Sequence, residues 1–331
     1  MNWRELHDKY ARLLWALHSA WALISGIAVL ILAHNRYGFA RWVVLFLALT
    51  WGSTLFVSRV GASSRALRFA HGLVSYLTRA MYQETLFFLI PFYFYSATFR
   101  SWNFLYVVLL TALAVLSCFD MLFDRLLREH RWFAIGFFAF VSFSALQFFL
   151  PLLLRTRIEN GEVLAATIAF LAALLLSQRW RDLADGRRLA AAAVVFAIVL
   201  AGVYVLRPLL PPVPLRMTAL RFSGELDHRT LNAPATFTNE IPRSALRRGR
   251  IYAVATVFSP ERIPARVQMS FVQNGKVLRV SRTVDLTTRP EGFRVWDSVR
   301  LPPNVSADAI RVELSTAGQL IGKRTIRIVN E

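Results

Sequence analysis

The sequence predicts a multi-pass α-helical membrane bundle of about seven spans followed by a C-terminal all-β antiparallel sandwich. Three observations carry this reading. Apolar runs of near-spanning length fill the chain up to Leu206. A proline-rich stretch then stops helix formation. Beyond it the apolar period changes from helical to alternating. The hydrophobic share of 56% exceeds the roughly 45–50% of a soluble domain, and the excess lies before Leu206.

The pivot is Leu189–Pro214. Leu189–Leu206 carries no charge and as a helix reaches about 27 Å, near the thickness of a hydrocarbon core. Pro208, Pro211, Pro212 and Pro214 remove backbone donors and fix φ, so the helix cannot continue. The boundaries read as a helical domain over 1–206, a proline-rich exit linker over 207–216 and a β domain over 217–331.

The seven runs are Leu13–Ala33, Phe39–Val57, Ala80–Phe99, Trp102–Phe119, Trp132–Leu154, Val163–Gln178 and Leu189–Leu206. Val163–Gln178 is short for a span. Trp15, Trp42, Trp102, Trp132 and Trp180 sit at run ends, as an aromatic belt requires. The first run keeps Glu5 and Asp8 before it and no small-residue cleavage site after it, so it reads as an uncleaved span. Ala66–Thr78 is amphipathic and reads as an interfacial segment.

Connections between the runs alternate in charge. The N-terminus, Ser58–Arg79, Asp120–Arg131 and Arg179–Arg188 hold 14 Lys and Arg, against 5 in the opposite set. The positive-inside rule then places the N-terminus in the cytoplasm. An odd number of spans then places everything after Leu206 outside. This pattern also accounts for much of the net charge of +19, so nucleic acid is set aside as a partner. The single Cys118 excludes an intramolecular disulfide and a Cys-rich metal site. No cofactor is expected.

In the C-terminal part, Val267, Met269 and Phe271 alternate with polar residues, as do Ile310, Val312 and Leu314. Asn274-Gly275 is a hairpin signal, and Ala317-Gly318 marks a further turn. Ile251–Phe258 suits a central strand. Residues 207–331 hold 20 Lys and Arg against 10 Asp and Glu, a basic surface that attracts polyanions.

The stretch RVQMSFVQNGK (Arg266–Lys276), the motif Arg294-Val295-Trp296-Asp297-Ser298 and RVELSTAGQLIGKRTIRIV (Arg311–Val329) resemble a small bacterial domain, domain of unknown function 2914. That family has Ser directly after the Trp, where Asp297 intervenes here. The resemblance covers about a quarter of the chain. It implies a β fold following membrane helices, and it brings no catalytic residues.

Three constellations are candidate sites. Glu84 is an acidic residue inside an apolar run, where a charge costs about 2.5–3.5 kcal/mol, and His18 lies at a similar depth in the first run. The two form a candidate intramembrane pair, or Glu84 snorkels beside Arg79. Asp120 and Asp124 share a helix face at i, i+4 spacing, as a divalent-ion site or as an ion-paired helix end. Trp296 with Arg294, Ser298 and Arg300 is a candidate periplasmic binding surface if Val295 and Val299 point inward; otherwise the ring is core. No catalytic residue or metal site is assigned, and no Ser-His-Asp, HExxH, P-loop or dinucleotide motif occurs.

The leading expectation is an accessory protein whose outward domain docks a protein, glycan or lipid. Its partners are membrane lipids and a membrane or periplasmic protein. A transporter using Glu84 and His18 is the alternative, and a lipid-modifying enzyme using Asp120 and Asp124 is the second.

Overall fold

The computed structural model describes residues 65–178, 185–260, 263–286, 292–301 and 309–329, with isolated residues near the N-terminus. They form two compact units. The first holds most of six helices: α1 (Arg65–Ser96), α2 (Phe104–Ser117), α3 (Asp120–Glu129), α4 (Arg131–Leu154), α5 (Ile158–Ser177) and α6 (Gly186–Val205).

The seven-span bundle is corrected. Among the described residues three helices, α4, α5 and α6, are long and apolar enough to cross a membrane, or four if a bent pair counts as one span. Composition explains the difference. In α1 the expected span carries Gln83, Glu84 and several tyrosines, and Pro91 lies inside the helix. The Trp102–Phe119 run yields only a 14-residue α2, and the helix that follows turns away by 103°. Val163–Gln178, the short run, starts earlier, at Ile158, and gives a 20-residue helix. Leu13–Ala33 and Phe39–Val57 lie outside the described residues, save for four single positions.

The helices differ in what surrounds them. Over its apolar window α4 is 72% buried and α6 is 0% buried. Aromatic rings fill the interior of the first unit. Phe88 lies 5.8 Å from Phe149, Tyr82 5.4 Å from Phe137, and Phe123 4.9 Å from Phe137. Ser144 and Thr111 donate their hydroxyls to the carbonyls of Phe140 and Val107 in their own helices.

The second unit contains residues 206–331 together with 93–106 and 154–159. Its strands are β1 (Arg216–Ser223), β2 (Glu240–Pro242), β3 (Arg250–Phe258), β4 (Arg266–Gln273), β5 (Lys276–Val280), β6 (Val284–Asp285), β7 (Phe293–Arg300), β8 (Ala309–Thr316) and β9 (Gln319–Val329). They form two sheets. One is three-stranded, β1-β3-β7, and the other runs β2-β9-β8-β4-β5 with β6 beside β4. The pairing is not wholly antiparallel as expected, because β2 joins β9 in parallel.

Period two governs burial. Ile251, Ala253, Ala255 and Val257 of β3 are buried and their alternates half-buried. Phe222, Val295, Met269, Phe271, Val312 and Ile326 complete an apolar interior drawn from both sheets. Asn274 and Gly275 both take positive φ in the β4–β5 turn, which fits the two-residue hairpin geometry. The loop between α1 and α2 is tied into this unit through Asn103. Its Oδ1 accepts the Thr98 N–H at 3.1 Å, and its Nδ2 donates to the Leu320 carbonyl at 2.8 Å. Lys323 adds a bond to the Arg100 carbonyl.

Candidate ligand-binding site on the three-stranded sheet

Alternation decides which side chains of the three-stranded sheet share a face. Register places Arg221, Val254 and Trp296 in one row across β1, β3 and β7. Tyr252 and Ser298 stand in the next row, and Thr256 and Arg294 in the row on the other side. Residues two apart on a strand face the same way, so Arg294, Trp296, Ser298 and Arg300 lie on one face, opposite buried Val295 and Val299. Arg294 and Arg300 are exposed, Trp296 is half-buried and Ser298 is buried.

A loop over 224–239 folds across this face. Two reciprocal bonds between the Phe222 and Phe237 backbones close it. Gly224 is required at its entry, since a Cβ there would overlap the Ala245 carbonyl oxygen. Asp227 organises the turn by accepting the Arg229 N–H at 2.9 Å and the Thr230 hydroxyl at 2.7 Å. The Thr230 hydrogen bond holds the Asp227 carboxyl below the ordinary carboxylate range, helped by the Arg229 backbone N–H.

The loop brings His228 onto the sheet. Its ring lies 4.6 Å from Trp296 and 5.8 Å from Tyr252. The three rings form one aromatic cluster. Beside it runs a groove of about 690 Å³, lined by Arg221, Arg229 and Arg294 with the polar groups of Thr230, Asn232 and Thr256. Arg294 donates to the side-chain amide oxygen Oδ1 of Asn232 at 3.3 Å. Among the described residues no carboxylate pairs with the guanidinium groups of these three arginines.

Asp297 lies on the other face. Its carboxylate accepts from Arg279 of the larger sheet at 3.0 Å and from the Ser298 N–H at 2.8 Å. The residue that interrupts the Trp-Ser order is therefore a tie between sheets.

The other candidates are dispersed. Glu84 is exposed on α1, between buried Gln83 and Thr85, and His18 lies outside the described residues. Asp120 opens α3 and Asp124 sits one turn on, half-buried. Arg128 donates to the Asp124 carbonyl at 3.2 Å, and Arg125 pairs with Glu129 at 3.0 Å. Among the described residues no group of three His, Cys, Asp or Glu side chains is arranged to hold a metal. Glu162 in α5 is a buried carboxyl that the sequence reading passed over. Glu162 stands just before an apolar run, so counting charges within runs passes over it.

A model described as a family of unknown function, DUF5924, matches residues 2–253. The chain belongs to this family. The DUF5924 match replaces the expected assignment to domain of unknown function 2914. It spans the helical part and ends at 253, before the first of the 2914-like motifs at Arg266. The motifs behind that resemblance are alternating strands and a Gly turn, features that many β domains share.

No curated protein matches the chain. Among solved structures it is similar to the Pseudomonas fluorescens alkylpurine DNA glycosylase AlkC bound to DNA containing an abasic site analog. Identity is 10%, with 76% of this chain and 80% of that one covered, at a TM-score of 0.23. The partner expectation is withdrawn, its exclusion of nucleic acid included: no comparison supplies a lipid or protein partner. At this TM-score the likeness carries no argument for DNA binding either.

Proposed function

We propose that this chain is a membrane-anchored binding protein whose β unit holds a saccharide on the cluster of Trp296, Tyr252 and His228. The observation that carries the reading is this cluster, lying on a sheet face beside an open polar groove. Aromatic rings bind the apolar C–H faces of sugars, while neighbouring amides and hydroxyls meet the sugar hydroxyls. Asn232, Thr230 and Thr256 provide such groups here.

Two features support the anchor. None of the residues of α6 is buried by protein, although Val194, Val195 and Ile198 are large and apolar. Such a helix is at home in hydrocarbon rather than water. Arg179, Arg181, Arg187 and Arg188 precede its apolar run, and only Arg207 directly follows it. The positive-inside rule favours a cytoplasmic start and an outward β unit, independently of the number of earlier spans.

The test is isothermal titration of the full chain in mild detergent with the neutral oligosaccharide chitotetraose. Binding that Trp296→Ala abolishes supports the reading. Absent binding, or binding that Trp296→Ala leaves unchanged, overturns it. A C-terminal compartment reporter that signals the cytoplasm would overturn the proposed orientation.

A further inference from the structure

We infer that the groove between Arg221, Arg229 and Arg294 binds the acidic group of an anionic oligosaccharide whose sugar ring lies against Trp296. This rests on the saccharide reading and adds a charge to its ligand. Three arginines line the groove, and among the described residues none of their guanidinium groups meets a carboxylate. Guanidinium is the side chain best matched to carboxylate and phosphate, because its fork donates two parallel N–H bonds.

The three come from separate places. Arg221 is on β1, Arg294 on β7, and Arg229 on the loop over 224–239. One groove thus gathers charge from three segments, against mutual repulsion. The Asp227–Thr230 turn holds the backbone that carries Arg229 in place. Arg294 is steadied by its bond to Asn232.

Spacing links the groove to the rings. Arg221, Val254 and Trp296 are consecutive across three strands, so Arg221 and Trp296 are separated by roughly 9–10 Å of sheet. Arg294 is two residues from Trp296 on one strand, roughly 7 Å away. A ring on Trp296 and an acid group in the groove are within the reach of one short oligosaccharide.

A nucleic acid shares the need for aromatic and cationic groups, but the geometry favours sugar. Sequence-tolerant single-strand sites stack successive bases on a series of aromatic rings along a backbone track. Here the rings form one cluster at one side of a short groove. The hydroxyls and amide of Thr230, Asn232 and Thr256 also suit the dense hydroxyls of a saccharide.

The experiment titrates the full chain in mild detergent with tetragalacturonate, chitotetraose and a ten-nucleotide oligothymidylate. Tetragalacturonate is expected to bind more tightly than chitotetraose and to weaken as salt rises. Arg221→Gln and Arg229→Gln are each expected to weaken tetragalacturonate about tenfold. Arg294→Lys, which keeps the charge and loses the fork, is expected to retain the salt dependence at reduced affinity. Tetragalacturonate no tighter than chitotetraose, or indifferent to Arg221→Gln and Arg229→Gln, overturns the inference while the saccharide reading stands on chitotetraose alone. Loss of both sugars overturns the two together. Oligothymidylate binding more tightly than tetragalacturonate, with the same arginine dependence, assigns the groove to nucleic acid and overturns the inference.

Discussion

The two faces of the three-stranded sheet share one backbone and one set of strand partners, yet they end in opposite environments. The inner face carries Phe222, Ala253, Ala255, Val295 and Val299, all buried, and one ion pair to the larger sheet. The outer face carries Arg221, Tyr252, Arg294 and Trp296, none fully buried, under a loop that covers part of them. Apolar area removed from water stabilises the fold on one side. On the other side, charge and aromatic surface left open contribute little to stability, which is the usual economy of a binding surface. Substitutions on the two faces should therefore separate stability from binding.

The largest contrast is between adjacent residues of β1. Phe222→Ala removes a fully buried ring and should cost about 3–5 kcal/mol, whereas exposed Arg221→Ala should stay within about 0.5 kcal/mol. Thermal unfolding of the full chain in detergent checks both. A comparable drop in Tm for the two variants would break the distinction between the faces.

Next comes Asp297→Ala. It leaves the Ser298 N–H without its acceptor and Arg279 without its carboxylate, at a cost of about 1–3 kcal/mol. Arg279 is half exposed and can turn to water, which keeps the loss toward the lower end. Asp297→Asn retains an acceptor and should lose less. Equal Tm values for the two variants would show that the carboxylate contributes nothing beyond its shape.

Asn103→Ala is expected to have an effect of similar kind and smaller size. The side chain bridges the Thr98 N–H and the Leu320 carbonyl, and its removal should raise amide exchange at both segments. Unchanged exchange at Leu320 and its neighbours would show that the loop over 97–103 is not held by this residue. A surface pair such as Arg266–Asp285 should contribute less than about 1 kcal/mol, so Arg266→Ala serves as the near-silent control.

Much of the β unit was legible because strands announce themselves locally. Alternation in β3, β4 and β8 and the Asn274-Gly275 turn are written in neighbouring residues. The same alternation placed Trp296 with Arg294, Ser298 and Arg300 on one face. His228, Arg229 and Arg221 had no such signal, because a loop folding back over a sheet is a non-local event fixed by tertiary packing. The helical count failed for a related reason. Hydrophobic length marks a run but not where a helix breaks, and the bend after Ser117 has neither Gly nor Pro to announce it. The placement of Glu162 in the interior depended on α5 beginning at Ile158, before the apolar run.

The smallest expected effect concerns acid. Asp227 has its folded pKa lowered by the Thr230 hydroxyl and the Arg229 N–H. A depressed carboxylate favours the folded turn while ionised. Its contribution is complete above the unfolded value of about 3.9, and it is lost as pH falls through the lower folded value. The carboxylate is exposed, so the protein as a whole should barely respond. The response should be local, because protonation weakens the bonds that hold Arg229 in position at the groove. Nuclear magnetic resonance of the Asp227 carboxyl should give a pKa below that of a free aspartate, and Thr230→Val should raise it toward the free value. Titration at the free value in the unaltered chain would mean that the turn does not favour the ionised form, and that Arg229 is held by something other than Asp227.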